Sequence, residues 1–302
     1  MAINPALSPT HEAPYRGLRV LDFGQGIASP YCAMLLGVYG AGVIKIEPPE
    51  GDWSRYLGTT YGNHTTLSAV YNRGKRSLCL DMKHAEGVAI ARRLAKDCDV
   101  LIEGFRPGVA ARLGIGYEEL SRDNPGLIYL SVSAFGQSGP YSKRPGSDSV
   151  AQAFSGLVSI NVGNDKTPHR VGTTISDVVT GVYAFQAIAT TLFARASVGT
   201  GRWIDVNLCQ STAALLGHKV AEHVLEGGAP RALNDAGGFL SNHRWLDDGD
   251  AGQRAAIQAA VRRDRARGSG QRSALRRFRR PRRLGRCADF RIARGVSDPA
   301  DR

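Results

Sequence analysis

The sequence is poor in cysteine and lacks the usual features of a targeted or anchored chain. Five cysteines occur among 302 residues, an odd number with no Cys-x-x-Cys pair, so neither a disulfide framework nor a cysteine-based metal site is indicated. Residues 1–15 have no basic start followed by an apolar stretch, unlike a signal peptide. No contiguous apolar run approaches the ~20 residues that span a bilayer. We therefore expect a cytoplasmic protein with no membrane partner.

Lysine is missing from residues 251–302, although arginine is abundant there. This segment contains 16 arginines and four acids, and its balance equals the net charge of +12 of the whole chain. Residues 1–250 are therefore formally neutral, and the isoelectric point near 9.8 describes the last segment rather than a folded domain. Three interpretations remain open: translation of a GC-rich gene in the wrong reading frame, a basic arm that binds RNA, or a solvated helix face. No nucleic-acid partner is predicted for the preceding residues.

Short β-rich runs alternate with segments of helical spacing through most of the chain. The predicted strands are Leu18–Phe23, Val43–Glu47, Ser77–Leu80, Asp99–Glu103, Leu127–Phe135 and Trp203–Asn207. The predicted helices are Ser29–Tyr39, His84–Lys96, Tyr117–Arg122, Asp148–Gly156, Val178–Ser197 and Cys209–Leu225. This alternation is typical of parallel strands joined by helical crossovers. It predicts an α/β fold with a Rossmann-like parallel sheet and flanking helices.

Composition and breaker residues divide the chain into four segments. Residues 1–15 are predicted to be a flexible leader, and residues 16–227 a nucleotide-binding domain. The break Gly227–Pro230 opens a linker and the start of an incomplete second domain, which runs to residue 250. Residues 251–302 form the aberrant or disordered tail described above.

A loop with two glycines, Gly24-Gln25-Gly26, joins the first predicted strand to the first predicted helix. This nearly satisfies the dinucleotide-binding fingerprint, and Glu47 ends the second strand at about the right separation to bind a ribose. The third glycine is replaced by Ser29, however, and Pro30 follows it. An NAD-dependent oxidoreductase is one alternative. The other is a tight turn whose amides bind another phosphate, or none.

Three cations surround a glycine in the segment Asn72–Arg76, just before the third predicted strand. A cluster of this kind is usually exposed to solvent, although it could also bind phosphate. A metal site is not predicted, because His218 and His223 are five residues apart and do not share a helix face.

Several sequence blocks follow one another in an order typical of one enzyme family. They are Val20–Asp22, Ser29–Leu36, Gly42–Pro49, Asn72–Asp81, Asp99–Gly108, Ser133–Tyr141, Asp177–Gly181 and Thr200–Leu208. In this order they resemble the class III CoA-transferases, a family that also contains acyl-CoA racemases. The resemblance runs from about residue 16 to 225 and stops near residue 240.

The resemblance implies transfer of coenzyme A between carboxylic acids through covalent enzyme intermediates. Asp177 occupies the position of the family's catalytic aspartate. It would attack the thioester of an acyl-CoA to give a mixed anhydride and then an aspartyl-CoA thioester. At an ordinary pKa of ~3.9 this carboxylate is ionised at neutral pH. The alternative for Asp177 is an acid that stabilises a helix N-terminus. The resemblance implies no tightly bound cofactor, since the coenzyme A thioester is a substrate.

The racemase branch of the family is disfavoured. Racemases need an acid and a base that move an α-proton, and they resemble Gly-His-Asp where this chain has Gly146-Ser147-Asp148. A serine hydroxyl is not a base at neutral pH. Asp148 is therefore expected to be a positioning residue among those that bind the substrate.

Cations and amides are expected along the path of coenzyme A, because it carries a pyrophosphate and a 3′-phosphate. By position in the family, the candidates are Gln25, Ala28, Arg73, Lys75, Arg76, Arg106 and Arg112. Two residues depart from the pattern of some members: Gly104 stands where they have asparagine and Gln25 where they have histidine.

The resemblance also implies a homodimer of two interlocked chains, in which a C-terminal segment returns to complete the first domain. Nothing after about residue 250 matches such a segment. We therefore expect this chain to carry the catalytic aspartate yet to be impaired as an enzyme.

Overall fold

A computed structural model describes residues 13–162 and 167–228. The chain divides into two compact units after Gly217. Most of the predicted leader, nearly all of the linker and the whole arginine-rich tail lie outside the described residues. The predicted domain boundaries and the RNA-binding alternative therefore stay predictions.

Eight strands are described. They are β1 (Arg19–Asp22), β2 (Gly42–Glu47), β3 (Thr60–Tyr61), β4 (His64–Thr65), β5 (Arg76–Cys79), β6 (Val100–Glu103), β7 (Ile128–Ser133) and β8 (Trp203–Asn207). Strands β3 and β4 form a short antiparallel hairpin. The other six form one parallel sheet in the order β5-β2-β1-β6-β7-β8. This is the strand order of the Rossmann fold, so the predicted fold class is confirmed.

Ten helices accompany these strands. They are α1 (Ala28–Val38), α2 (Thr66–Tyr71), α3 (Ala85–Lys96), α4 (Val109–Arg112), α5 (Tyr117–Asp123), α6 (Asp148–Phe154), α7 (Leu157–Ile160), α8 (Ile175–Val198), α9 (Leu208–Ala214) and α10 (Gly217–Leu225). A 3₁₀ turn, Trp53–Arg55, follows β2. Helix α10 belongs almost entirely to the second unit.

Each face of the parallel sheet is covered by helices, which explains why its strands are apolar on both sides. Alternate residues of β6 show the pattern: Val100 and Ile102 pack in the cluster that contains α1 and α8, and Leu101 packs in the cluster that contains α3 and α5. Burial of one such aliphatic side chain contributes about 1.5–3 kcal/mol. The core therefore holds the ends of the strands in a fixed arrangement.

Helices α1 and α8 approach each other most closely at Gly181. A Cβ atom on Gly181 would lie 2.8 Å from Cδ1 of Tyr31 and 2.9 Å from the carbonyl oxygen of Ala28, so only glycine fits without a shift. Ala28 begins α1 and directly follows the loop after β1. The second turn of α8, which follows Asp177, therefore lies beside the first turn of α1, at the carboxyl-terminal edge of the sheet.

The predicted helix Cys209–Leu225 is wrong, because two helices occupy this stretch. Helix α9 begins after Asn207, whose side chain caps it by accepting a hydrogen bond from the Gln210 amide at 2.8 Å. Leu216 then turns into the core, and Gly217, a poor helix former, begins α10.

Helix α8 is long and apolar enough, at 24 residues and a mean hydropathy of 1.3, to cross a membrane by length and composition alone. It is not a contiguous apolar run, however, because Asp177, Gln186 and Arg195 interrupt it. Its buried residues include Thr180, Ala184 and Ile188, which lie on the side that packs against the sheet and α1. The absence of a membrane partner stays a prediction.

Candidate active site

Asp177 lies in the first turn of α8, and a second carboxylate holds the backbone beneath it. Oδ1 of Asp148 accepts hydrogen bonds from the amides of Ser176 at 2.7 Å and of Asp177 at 3.3 Å. Thr174, which precedes the helix, makes no side-chain cap. Asp148 therefore caps α8 from the start of α6. The predicted role of Asp148 in substrate binding stays a prediction.

Three amides at the start of α8 are engaged within the protein. Those of Ser176 and Asp177 donate to Asp148, and that of Val178 donates to the carbonyl oxygen of Thr174 at 3.0 Å. The amides of Ser176 and Asp177 are donors that a helix N-terminus would otherwise offer to an anion, whereas the Val178 amide makes the first regular bond of the helix. They are not free to bind an oxyanion in this arrangement.

Burial, together with the nearby Asp148 carboxylate, raises the pKa of Asp177 to about 7. Burial is the larger cause, because it removes water from the charged form. The expectation of an ordinary pKa is therefore wrong, and Asp177 is only partly ionised at neutral pH. A titratable group with such a shift at the edge of a sheet is typical of a functional site. Stabilisation by the helix dipole alone would lower the pKa instead.

Two tyrosines outside the predicted site residues form a pair beside the first two turns of α8. The rings of Tyr31 in α1 and Tyr71 in α2 meet edge to face, with their centroids 5.4 Å apart. Burial, first, and the nearby Tyr31 and Asp177 raise the pKa of Tyr71, while a hydrogen bond with Thr174 opposes them. No sequence motif marks the two tyrosines, because α1 and α2 meet only in the folded chain.

The loop after β1 is tied to carboxylates inside the protein. The Gly24 amide donates to Oδ1 of Asp22 at 2.9 Å, and the Gly26 amide donates to Oδ1 of Asp52 at 3.0 Å. The Trp53 ring also covers Gly26, where a Cβ atom would lie 2.1 Å from the ring. Neither glycine amide of the dinucleotide fingerprint is therefore available to a phosphate.

The carboxylate of Glu47 is also hydrogen-bonded within the protein. Arg55 donates to both of its carboxylate oxygens, at 2.6 and 2.7 Å, and Ser77 and the Asp52 amide donate to it at 2.9 and 3.0 Å. Burial alone would raise the pKa of Glu47, but the hydrogen bonds from Arg55 and Asp52 outweigh it and lower the pKa to about 2. With no acceptor left for a ribose, the geometry disfavours the NAD-dependent alternative.

Lys75 is buried in a network of charges, with its side chain 2% exposed. Its ammonium donates to Oδ2 of Asp22 at 2.7 Å, to the Pro30 carbonyl at 2.8 Å and to Oδ1 of Asn72 at 2.9 Å. Lys45 lies beside it and donates to Asp52 at 2.7 Å. Because Lys75 has three N–H donors and all are used, the geometry favours a structural role over phosphate binding.

The remaining predicted residues do not form one group. Arg73 is exposed and lines a cavity of about 260 Å³ under α2. Arg76 lines a different cavity of about 250 Å³, beside α3, which also contains Arg19 and Arg93. The structure therefore separates Arg76 from Arg73, although they are close in sequence.

Gln25, Ala28, Arg106 and Arg112 follow the strands at the centre of the sheet. Gln25 is partly buried and Ala28 is buried in the loop and first turn after β1. Arg106 and Arg112 are exposed, in the loop after β6 and in α4. Ligands of Rossmann-like sheets bind outside the carboxyl ends of such strands. These four residues therefore keep positions compatible with nucleotide binding.

Fold and site together define an α/β protein with a largely buried carboxyl group of raised pKa at the carboxyl-terminal edge of a Rossmann-like sheet. The family model described as CoA-transferase family III matches residues 15–267. The chain therefore belongs to this family. The match also extends beyond residue 240, where the resemblance was expected to stop, so that expectation is wrong.

Named relatives agree with the family. The chain is 36% identical over 250 residues to the succinate–glutarate CoA-transferase of Agrobacterium fabrum, covering 80% of this chain and 62% of the relative. It is 39% identical over 214 residues to the human succinyl-CoA:glutarate CoA-transferase, covering 70% and 49%. It is also 39% identical over 232 residues to the acetyl-CoA:oxalate CoA-transferase of Acetobacter aceti, covering 76% and 60%. The chain thus spans about half to three fifths of these relatives.

A solved structure has a similar fold. The crystal structure of a CAIB/BAIF family protein from Brucella suis is similar with a TM-score of 0.70 and 34% sequence identity. The similar region covers 73% of this chain and 60% of that protein.

Proposed function

We propose that this protein transfers coenzyme A from an acyl-CoA thioester to a carboxylic acid, with Asp177 as the nucleophile. The observation that carries the proposal is the partly buried Asp177 carboxyl group, capped from below by Asp148 and raised in pKa to about 7. A carboxylate that is poorly hydrated and more basic than usual is a stronger nucleophile toward a thioester. Family membership and the names of the relatives support the same reaction.

The first half of the reaction moves coenzyme A onto the enzyme. An oxygen of the ionised Asp177 attacks the carbonyl carbon of the acyl-CoA, and the C–S bond breaks to release the CoA thiolate and a mixed anhydride. The thiolate then attacks Cγ of Asp177. The donor acid leaves as a carboxylate, and an aspartyl-CoA thioester remains.

The second half reverses these steps with a new acid. The acceptor carboxylate attacks the aspartyl thioester carbon, which releases the thiolate and forms a second anhydride. The thiolate attacks the acyl carbon of the acceptor, and Asp177 leaves as a carboxylate. No electron is transferred and no net proton is consumed, so the steps balance without a redox cofactor.

Short dicarboxylic acids are the proposed acceptors. The relatives are named for glutarate, succinate and oxalate, and each of these acids carries a second carboxylate. For coenzyme A itself, we propose contacts with Gln25, Ala28, Arg73, Arg106 and Arg112, whose positions surround the carboxyl-terminal edge of the sheet.

Racemisation has less support. It needs a base near the α-carbon, and the residue before Asp148 is Ser147. Asp148 already accepts hydrogen bonds from two amides and from Gln152. Both of its carboxylate oxygens are therefore already engaged within the protein.

We further propose a homodimer and residence in the cytoplasm. Helix α8 leaves large apolar side chains exposed, among them Phe193 at 81%, which supports an interface with a second chain. Cys32 and Cys98 are free thiols inside the core, as suits a reducing compartment.

An exchange assay tests the function. Succinyl-CoA is supplied with glutarate or oxalate, and the new CoA thioester is measured by chromatography. Asp177→Asn is expected to lower the rate about a thousandfold or more, because it removes the nucleophile. Asp123→Asn changes an exposed aspartate of α5 and serves as the matched control. Near-normal exchange by Asp177→Asn contradicts the proposal. The expected impairment of this chain predicts slower turnover than the Agrobacterium fabrum relative in the same assay.

A further inference from the structure

Gln152 connects three segments beside Asp177. Its side chain is fully buried and lies one helical turn after Asp148 in α6. Nε2 donates to Oδ2 of Asp148 at 2.6 Å and to the carbonyl oxygen of Thr173 at 3.3 Å, and Oε1 accepts from the amide of Val171 at 2.8 Å. Both donors and the acceptor of this amide are therefore engaged.

The bonds of Gln152 continue to Asp177 through Asp148. One oxygen of Asp148 is bound by Gln152, and the other accepts from the amides of Ser176 and Asp177. The loop before α8, which contains Val171 and Thr173, is bound by the same glutamine. Gln152 thus fixes both the chain that leads to Asp177 and the carboxylate that caps it.

We propose that Gln152 is a positioning residue, which keeps Asp148 as the anionic cap of α8 and so orients Asp177 for attack on the thioester. The inference rests on the proposed transferase function. It goes beyond that function by assigning a role to a residue that touches neither substrate nor reacting atoms.

The charge on Asp148 explains why Gln152 matters. Hydrogen bonds offset the cost of burying the Asp148 carboxylate and hold it in place, and Gln152 supplies a short one. Tyr71 from α2, whose pKa is raised mainly by burial, also lies near Asp177, and the Tyr31 ring from α1 packs against it. Without Gln152, the Asp148 carboxylate is no longer held beside the start of α8, so its repulsion of the Asp177 carboxylate is expected to weaken.

The first test is the titration of Asp177 in Gln152→Met, which keeps the length of the side chain but loses its hydrogen bonds. Carboxyl ¹³C NMR of the full chain reports the pH midpoint, and Asp177→Asn assigns the signal. The midpoint is expected to fall by about one pH unit yet to stay above an ordinary aspartate value, since burial remains. An unchanged midpoint in the folded variant overturns the proposal.

Asn124→Leu is the matched control. Asn124 also uses a side-chain amide to join two segments, donating to the carbonyl oxygens of Ala95 and Cys98 at 3.1 and 2.8 Å. Ala95 and Cys98 lie before β6, at the amino-terminal edge of the sheet, whereas Asp177 lies at the carboxyl-terminal edge. The control is expected to lose stability without moving the Asp177 midpoint. An equal movement in both variants shows a general effect of instability and overturns the proposal.

Kinetics provide a second test. Gln152→Met is expected to lower kcat at least ~10-fold while the KM for succinyl-CoA stays within ~2-fold, since orientation is lost and CoA contacts are not. Gln152→Glu, when protonated, can donate to Asp148 and accept from the Val171 amide. It should therefore exceed Gln152→Met in activity at acidic pH and lose this advantage at alkaline pH. Identical pH profiles for the two variants count against the role.

The two proposals can fail separately. If the wild-type chain exchanges no coenzyme A, the transferase function fails, while the NMR titration still decides whether Gln152 controls Asp177. If Gln152→Met does not fold, the titration of Gln152→Glu decides. The Asp177 signal of Gln152→Glu should follow the wild-type titration curve only below the pH at which the introduced glutamate ionises. A curve that matches the wild type over the whole pH range overturns the proposal.

Discussion

At the scale of single residues, two neighbouring carboxylates have opposite roles. Asp148 accepts hydrogen bonds from two amides and a glutamine, which stabilise its charge. Asp177 receives none of these bonds on its carboxylate, and burial raises its pKa to about 7. A pair of acids whose environments differ in this way divides the work of a site between a charged support and a reactive group.

The raised pKa of Asp177 makes stability depend on pH. A carboxyl group whose pKa is higher in the folded state stabilises the fold most below its unfolded pKa of ~3.9, and this stability is lost as pH rises to about 7. The asparagine of Asp177→Asn cannot ionise, so this variant does not lose that stability as the pH rises. We expect the variant to be more stable than the wild type by about 1–3 kcal/mol at pH 8, with little difference at pH 4. Urea unfolding at both pH values measures it, and equal stability at pH 8 contradicts the assigned environment.

Lys75 provides a second prediction for a single residue. Lys75→Met leaves the buried Asp22 carboxylate without its nearest ion-pair partner, which should cost about 3–5 kcal/mol of folding free energy. Lys96→Met breaks an exposed pair with Asp123 and should cost less than about 1 kcal/mol. Chemical denaturation compares the two variants. A small loss for Lys75→Met, together with a large rise in KM for acyl-CoA, would favour phosphate binding instead.

At the scale of elements, the crossing of α1 and α8 places the reactive carboxylate. Gly181→Ala would force a Cβ atom to within 2.9 Å of the Ala28 backbone oxygen, so the helices must move apart. We expect a loss of about 1–3 kcal/mol in stability and a parallel loss of exchange activity. Gly37→Ala in α1 is the control, because its Cβ atom would lie 3.4 Å from Val43 and helix propensity improves. Thermal unfolding compares the two variants. Similar Tm values for Gly181→Ala and Gly37→Ala contradict a close crossing of α1 and α8.

Much of this architecture follows from the sequence pattern, since strands and helices of regular spacing can be recognised from local residues alone. The strand Trp203–Asn207 has the same bounds in prediction and structure. Asp177 was identified through family resemblance, because an acid before an apolar helix has no distinctive pattern of its own. Its raised pKa and the bonds of Gln152 were not predictable, since they depend on α6 meeting α8. The short hairpin β3–β4 and helix α2 were also missed, because their local patterns are too short.

At the scale of the whole molecule, the exposed surface of α8 is the feature that bears on assembly. Phe193, Val182 and Val198 are exposed apolar residues on this helix. We expect the full chain to sediment as a dimer and Phe193→Asp to shift it toward monomer. Lys83→Asp, which adds the same acid at an exposed position before α3, should leave the dimer intact. A wild-type chain that is monomeric at micromolar concentration contradicts the proposed assembly.

The central claim is that Asp177 forms a covalent intermediate with coenzyme A, and trapping tests it most directly. The protein is incubated with succinyl-CoA and then with hydroxylamine, which converts an aspartyl thioester or anhydride to a hydroxamate. Peptide mass spectrometry should find the mass of the hydroxamate on Asp177 and on no other acid of the Asp177 peptide. The modification should depend on succinyl-CoA and be absent from Asp177→Asn. An enzyme that exchanges coenzyme A without this modification, or with it on another acid, would contradict the account.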